Sequence, residues 1–438
     1  MKKAFPVLLL FSACFLFEEE DENQNTNLTL SEGAIGVTTV RLHVEPEDSL
    51  AQFTFELTRD DSIVQTLSLQ SDTLIKDTGL NPNTSYTYTG YWMDGTKRIG
   101  ESNTLTLTTM DTTSHNFVNW IFDTLGVYGS EIQDVHIVNE NDIYIVGAFA
   151  LEDSATFLPG GYTNYNLGHW DGNKWTFTKV FGNLVLYTIT YFNENDIWVT
   201  TLGYPVRLEG NEWTLYQLHD MGFDSVSVGD ASWGTSSSNM YFAGWRGSKT
   251  AHIVHYDGTN FNPFDTGVKT RLADMDGTPN GEHIFVIGDS GGMIDGVFSL
   301  FYSNGNPNEW GRIDIPEGIE QIYGLDVYGD TAYIADINKI WKYNYITGES
   351  IFENQPNDGN RHVFLKGVNI VSQNDHLYTS MRFRILHYNG LNYSYNTDYT
   401  YLYDAGLRIF NSDYNGNIAV LVGKKYGWAF GFVARGFK

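Results

Sequence analysis

The chain has 438 residues, of which 26 are basic and 53 acidic, and its formal net charge is −27 at pH 7. A nucleic-acid-binding surface neutralises phosphates with Lys and Arg, so this charge, without any basic patch in the sequence, excludes that class of partner. Aromatic residues make up 15% of the chain and charged residues 18%, a composition that excludes disorder over most of its length. With 44 glycines and 10 prolines, it favours short strands joined by tight turns.

The N-terminal segment has the pattern of an export signal. Two lysines precede an apolar run over residues 4–17, which is shorter than the roughly 20 residues that a membrane-spanning helix needs, and this predicts a signal peptide. The only cysteine, Cys14, follows Leu-Phe-Ser-Ala, which resembles the lipobox of bacterial lipoproteins. The resemblance implies cleavage after residue 13 and lipidation of Cys14.

An acidic cluster over residues 18–22 follows the cysteine directly. It is similar to the surface-export signal of Bacteroidota lipoproteins, which implies a lipid-anchored protein of the outer membrane or cell surface. Residues 1–13 are then a signal peptide and residues 14–29 a lipidated acidic linker. The alternative is an ordinary secretory leader followed by a solvated linker.

Residues 30–111 predict a small β-sandwich. Thr and aromatic residues alternate with a period of two in four stretches, a pattern that indicates half-buried strands. The turn Leu80-Asn-Pro-Asn-Thr-Ser-Tyr86 resembles the fibronectin type III signature, in which the tyrosine hydroxyl bonds back to the turn backbone. In that family such a domain is a spacer or an adhesive module.

Residues 114–438 contain an internal repeat. An Asn-Asp or similar turn followed by an apolar strand occurs seven times, with the first apolar positions 41–54 residues apart. A second marker, His-Trp/Tyr-Asp/Asn-Gly, follows in three units and provides a hairpin turn before an aromatic residue that opens the next strand. Four strands per unit of this length predict a seven-bladed β-propeller.

The last unit has only three strands, so its fourth must come from elsewhere in the chain. Residues 119–125 precede the first full unit and have the fourth-strand pattern. We therefore predict an all-β chain, with an N-terminal fibronectin type III-like β-sandwich and a C-terminal seven-bladed β-propeller closed by an N-terminal strand.

One segment suggests a metal site. Asp274, Asp276, Asn280 and Glu282 place oxygen ligands at short intervals, as a calcium loop does, but Asp and Asn are also ordinary turn formers. A structural calcium ion and a plain turn both fit this segment. No other cofactor is indicated.

Two further groups of residues are candidates for binding or chemistry. Trp233, Trp245 and Arg246 fall outside the repeated aromatic positions, so they are either a ligand-binding platform or loop anchors. The repeated histidines His169, His255 and His387 occupy equivalent places in different units, which favours a packing role. Asp134, His136 and His362 belong near the presumed inner strands and are candidates to face a central channel.

The sequence favours a binding, adhesion or scaffold protein that presents a propeller face to a protein or glycan. It contains no linear catalytic motif, yet a propeller enzyme gathers its site from several units. A glycoside hydrolase or polysaccharide lyase at the channel mouth therefore remains the alternative. Acids clustered there with His or Tyr would favour the enzyme.

Overall fold

The structure is a computed structural model. It describes residues 28–46, 53–117, 119–127, 129–152, 161–201, 203–221, 228–244, 250–289, 297–319, 321–337, 339–354, 365–380, 384–396, 406–425 and 430–438. The predicted signal peptide, Cys14, Trp245, Arg246 and His362 lie outside these residues. The chain divides into two compact units, Met1–Met110 and Asp111–Lys438. The described residues are all-β apart from a single 3-10 turn at Leu218–Met221.

The described part of the first unit contains eight strands in two sheets, ordered β1-β2-β5 and β4-β3-β6-β7, with β8 also paired to β6. The strands are β1 (Leu28–Ile35), β2 (Thr39–Pro46), β3 (Phe53–Arg59), β4 (Ser62–Leu69), β5 (Thr73–Thr78), β6 (Ser85–Asp94), β7 (Lys97–Glu101) and β8 (Leu105–Thr108). Apolar side chains of both sheets form one core, which includes the fully buried Leu42 and Phe55. Alternation of buried and exposed residues along β2 and β5 fits a sheet with one solvated face.

The predicted turn before β6 is tied to its tyrosine. The backbone N–H of Asn81 donates to the Tyr86 hydroxyl at 2.9 Å, so the side chain bonds back to the turn as the sequence predicts. The hydroxyl thereby accepts a hydrogen bond from a turn N–H group that is not paired with a neighbouring strand.

Within its described residues, the second unit contains seven sheets of four antiparallel strands, here numbered sheet 1 to sheet 7 in chain order of their first strands. Sheets 1 to 3 comprise β10 (Glu131–Asn139), β11 (Asp142–Glu152), β12 (Tyr162–Trp170), β13 (Trp175–Thr178); β14 (Ile189–Asn193), β15 (Asp196–Thr200), β16 (Pro205–Glu209), β17 (Glu212–Leu215); β18 (Ala231–Ser236), β19 (Asn239–Gly244), β20 (His252–Tyr256) and β21 (Phe261–Asp265). Sheets 4 and 5 comprise β22 (Arg271–Gly277), β23 (Ile284–Asp289), β24 (Ser299–Ser303), β25 (Gly311–Ile313); β26 (Ile322–Tyr328), β27 (Thr331–Asp336), β28 (Lys339–Asn344) and β29 (Ser350–Asn354). Sheets 6 and 7 comprise β30 (Leu365–Ser372), β31 (Asp375–Ser380), β32 (Ile385–Tyr388), β33 (Tyr393–Asn396); β34 (Leu407–Tyr414), β35 (Ile418–Lys425), β36 (Gly431–Phe437) and β9 (Asn119–Leu125).

The first strands of the seven sheets form a closed ring. Each contacts the first strand of the next sheet, and β34 of sheet 7 contacts β10 of sheet 1. We call these seven strands the inner strands. Apolar side chains of neighbouring sheets share clusters, as where Val420 of sheet 7 packs with Ile145 of sheet 1. The core therefore lies between sheets as well as within them.

Strand β9 completes sheet 7, and this prediction is confirmed. It pairs antiparallel with β36, with Asn119 opposite Phe437 and Leu125 opposite Gly431. The Arg435 guanidinium donates to the Asp123 carboxylate at 2.8 Å and lies over the Trp170 ring at 3.9 Å. This residue of sheet 7 thus links the closing strand to sheet 1.

The turn markers form as the sequence predicts. In the first His-x-Asp-Gly turn, the Asp171 carboxylate accepts the N–H groups of Asn173 and Lys174, and Gly172 has a φ of 87°. The carboxylate accepts hydrogen bonds from turn N–H groups that have no backbone partner. Glycine alone adopts that positive φ without strain. The same arrangement recurs at Asp257-Gly258 and Asn389-Gly390.

The two ends of the ring differ in the length of their connections. Where the inner strands end, neighbouring strands are joined by short turns, such as the one between Asn139 and Asp142. Where they begin, longer segments connect the strands, for example between Asn354 and Leu365 and between Asn396 and Leu407. We call this second end the entry face. Long connections on a rigid frame are the usual carriers of binding residues.

Candidate functional site

Two adjoining cavities lie along the inner strands, each of about 260 Å³. Residues of all seven sheets or their leading segments line the first cavity, which is nearer the entry face: Gln133, Asp134, Tyr187, Thr188, Gly229, Asp230, Ala231, Ser232, Arg271, Ala273, Asp274, Tyr323, Lys366, Phe410 and Asn411. Asp274, Lys366 and Asn411 also line the second cavity. The axis of the ring is therefore polar and charged.

The carboxylates nearest the entry face connect neighbouring sheets. Asp134 accepts the N–H of Ile189 in sheet 2 at 2.9 Å, and Asp274 accepts the N–H of Leu325 in sheet 5 at 3.0 Å. Each also accepts the N–H of the residue that follows it in its own strand. These backbone groups face the axis, where no strand pairs with them, so the carboxylates satisfy them.

A second layer of carboxylates repeats this arrangement deeper in the ring. Asp276 accepts from Val327 at 2.6 Å, Asp326 from Ile370 at 2.5 Å and Asp413 from Ile137 at 2.7 Å. Each bond runs from a carboxylate to the inner strand of the next sheet. The inner acids therefore have a structural role in holding the ring together.

Burial shifts the pKa of several axial groups. Desolvation raises the pKa of Asp134 to about 6 and that of Asp274 to about 7, against the lowering effect of their backbone hydrogen bonds. Burial also raises the pKa of Asp276, and its hydrogen bond with the Asp326 carboxyl adds to the effect, so this pair favours a shared proton. Desolvation lowers the pKa of His136, which favours the neutral ring.

Lys366 and Arg271 bring positive charge into the first cavity. Among the described residues, none forms a hydrogen bond with the Lys366 ammonium, whose nearest charges are Arg271, Asp274, Asp134 and Asp230. Its pKa is lowered, mainly by desolvation. Arg271 lies 3.6 Å from Asp230, and its Nε is buried without a hydrogen-bond partner in the described structure. Asp289 is the second carboxylate near the Arg271 Nε, at 4.0 Å.

The residues of the predicted calcium loop do not converge. Asp274 and Asp276 are on inner strand β22 and bond to sheet 5, whereas Asn280 and Glu282 are exposed in the turn, where the Asn280 amide donates to Glu282 at 2.7 Å. Within the described residues, no group of three His, Cys, Asp or Glu side chains is placed to hold a metal ion. Calcium binding at this segment stays a prediction.

Trp233 packs against the protein. It is half-buried on β18 and contacts the shared apolar cluster of sheets 3 and 4, with its ring 6.1 Å from that of Tyr241. Trp245 and Arg246 follow β19 in the sequence and lie outside the described residues. A platform formed by all three residues therefore stays a prediction.

Each of the repeated histidines forms a side-chain hydrogen bond within its own sheet. His169 bonds Asp142 and His387 bonds Asp375, both at 2.7 Å, and His255 bonds Asn239 at the same distance. In each of these sheets, the histidine ring on the third strand thus bonds to the first residue of the second strand. The three sites are separate, and His387 also contacts His115 at 2.9 Å and Lys438 at 3.0 Å.

Sequence reasoning missed most of the charged and aromatic residues that line the two cavities. It proposed Asp134 and His136 for the channel, and each lines one of the two cavities. Arg271, Tyr323 and Lys366 were not singled out. The signal they share is a charged or aromatic side chain at the first or second position of an inner strand.

Comparisons with known proteins identify the fold. No family model matches the sequence, and no curated protein matches it. The chain is similar to the solved structure "YCF48 bound to D1 peptide", a β-propeller, with a TM-score of 0.54 and 10% identity over 75% of this chain and 100% of that one. YCF48 from Cyanidioschyzon merolae gives a TM-score of 0.49 and 9% identity over 72% and 98% of the two chains. Within the described residues, no helix is long and apolar enough to span a membrane. The first likeness, together with the sheets of four antiparallel strands, shows an all-β chain with a β-propeller fold.

Proposed function

We propose that this protein is a lipid-anchored cell-surface binding or scaffold protein whose seven-bladed propeller presents its entry face to a protein ligand. The fold carries the proposal, because the similar propeller YCF48 was solved with a bound peptide. Each of the seven four-stranded sheets would be one blade. A glycan is the other ligand class that the sequence suggested for this face.

The first unit would act as a spacer of the fibronectin type III type. Two sheets around one core and the hydrogen bond of Asn81 to Tyr86 support this assignment. A spacer of this kind would hold the propeller away from the membrane to which the N-terminal lipid is attached.

The anchor is tested at Cys14. We expect Cys14→Ser to release the protein in soluble form, because removal of the thiol removes the attachment point of the lipid. Membrane fractionation of cells with native protein and variant measures this, with Ser12→Ala as a matched control in the same leader. Equal membrane attachment of the Cys14 variant would refute lipidation.

Ligand capture tests the entry face. We expect a Trp245→Ala/Arg246→Ala variant to capture about tenfold less partner protein from envelope extracts, since aromatic and arginine side chains dominate binding energy at interfaces. Ile346, which is 66% exposed in a turn at the opposite end of the ring, provides the control Ile346→Ala. Loss of capture in the Ile346 variant alone would place the ligand on the other face and contradict the proposal.

The enzyme remains a second candidate because of one observation. The first cavity gathers Asp134, Asp274, Lys366 and Tyr323, the kind of cluster that a hydrolase or lyase requires. Both carboxylates, however, are engaged by backbone N–H groups, which a purely structural role explains. Incubation with polysaccharides, followed by measurement of new reducing ends or unsaturated products, decides between the two.

A further inference from the structure

The first cavity has unfilled hydrogen-bonding capacity of both kinds. An ammonium group has three donors, and none of the Lys366 donors has an acceptor among the described residues. The buried Arg271 Nε has no hydrogen-bond partner in the described part of the chain, although Asp230 lies 3.6 Å and Asp289 4.0 Å away. Both Asp274 oxygens and the Asp134 Oδ2 keep a lone pair beyond their backbone bonds, whereas the Asp134 Oδ1 accepts from Val135 and from the Asn411 amide. Because buried polar groups are costly without partners, the cavity favours an occupant that both donates and accepts.

The charge of the cavity selects against charged occupants. Its three carboxylates, Asp134, Asp230 and Asp274, face two cations, Lys366 and Arg271. Burial raises the pKa of all three carboxyls and lowers the pKa of Lys366, so it disfavours the charged form of each of these groups. An anion would meet the acids and a cation would meet Lys366 and Arg271. A neutral ligand avoids both repulsions.

Three aromatic side chains line the same cavity. Tyr187, Tyr323 and Phe410 are each half-buried and come from different sheets or their leading segments. An aromatic ring carries partial negative charge on its face, which attracts the C–H groups on one side of a sugar ring. The volume corresponds to about nine waters at roughly 30 Å³ each, which is enough for one sugar ring.

We propose that the first cavity binds a single neutral saccharide unit, with Lys366 and Arg271 donating to its hydroxyl oxygens and Asp134 and Asp274 accepting from its hydroxyl groups. The site goes beyond the proposed function, since the sugar lies on the axis while a protein ligand contacts the connections at the entry face. The two are therefore separable by experiment.

The test is a titration of the full-length protein with glucose, galactose, mannose and xylose, followed by saturation-transfer NMR and calorimetry. Glucosamine and glucuronate serve as charged analogues of matched size. We expect at least one neutral sugar to bind with millimolar affinity and the charged analogues to bind about tenfold more weakly. No signal from any neutral sugar at about 50 mM, or tighter binding of either charged analogue, would overturn the proposal.

Variants connect the binding to the cavity. Lys366→Met is expected to weaken sugar binding by about tenfold or more, because it removes three hydrogen-bond donors. Lys366→Gln keeps an amide donor and should lose less affinity. The exposed Lys97 of the first unit provides the control Lys97→Met, which should bind as the native protein does. Circular dichroism checks that each variant is folded. Unchanged sugar binding in folded Lys366→Met would refute the site, whereas normal partner capture by that variant leaves the entry-face proposal intact.

Discussion

Replacing the closing strand β9 with a Gly/Ser segment of equal length is expected to detach the N-terminal end of the second unit from sheet 7 and to lower the thermal midpoint by more than about 10 °C, corresponding to roughly 7 kcal/mol for a unit of this size. The replacement removes the pairing with β36 and the burial of Leu125 and Trp120. It also leaves the Arg435 guanidinium, which is 5% exposed, without the Asp123 carboxylate. An unpaired buried charge is among the costliest single changes.

The matched control is the same replacement in β13, the outer strand of sheet 1, whose first three strands are continuous in the chain. That change shortens one sheet but leaves the two ends of the second unit paired with each other in sheet 7. We expect a clearly smaller fall in midpoint, because this variant keeps the ion pair between Asp123 and Arg435. Equal midpoints in the two variants would contradict closure by β9.

Asp375→Ala is expected to destabilise the protein by about 3–5 kcal/mol, because it removes the shared acceptor of a buried cluster. The Asp375 carboxylate accepts from His387 at 2.7 Å, Tyr414 at 2.8 Å and Lys438 at 2.9 Å, and its side chain is only 8% exposed. The variant leaves the Lys438 ammonium and two further donors without their partner. Chemical denaturation followed by tryptophan fluorescence measures the loss.

The repeat supplies the control for this prediction. Asp142 occupies the equivalent position in sheet 1 and bonds His169 at the same 2.7 Å, but both side chains are about one third exposed. Asp142→Ala should therefore cost only about 1 kcal/mol or less, since water replaces the lost partner. A loss of stability in Asp142→Ala as large as that in Asp375→Ala would mean that burial and the additional donors around Asp375 do not add to stability.

The effect of Asp375 depends on pH in a defined direction. Burial alone would raise the pKa of this carboxyl, but hydrogen bonds from His387, Lys438 and Tyr414 outweigh it and lower the pKa below its usual value. A carboxyl whose folded pKa is depressed stabilises the fold above its unfolded pKa, near 4, and loses that contribution as the pH falls through the folded value. The difference between native protein and Asp375→Ala should therefore narrow below about pH 4.

Local signals explain what the sequence predicted well. The repeated strands and turns depend on neighbouring residues: alternation sets each strand, and an Asp or Asn followed by glycine sets each hairpin, as at Asp171 and Gly172. Each repeated apolar run became the second strand of one sheet. The incomplete last unit called for an outside strand, and residues 119–125 carried its pattern.

Only the tertiary structure decided the site. Asp134, Arg271 and Lys366 come from sheets 1, 4 and 6, and nothing in their local sequence indicates that closure of the ring brings them to one cavity. The same holds for Asp274 and Asp276, which read as a calcium loop along the chain but bond to the backbone of sheet 5. Short-range patterns determine strands and turns, whereas the partners of a charged side chain depend on long-range packing. The sequence alone thus determined an acidic all-β chain built from repeats, and the closed ring decided which of its charges meet at the axis.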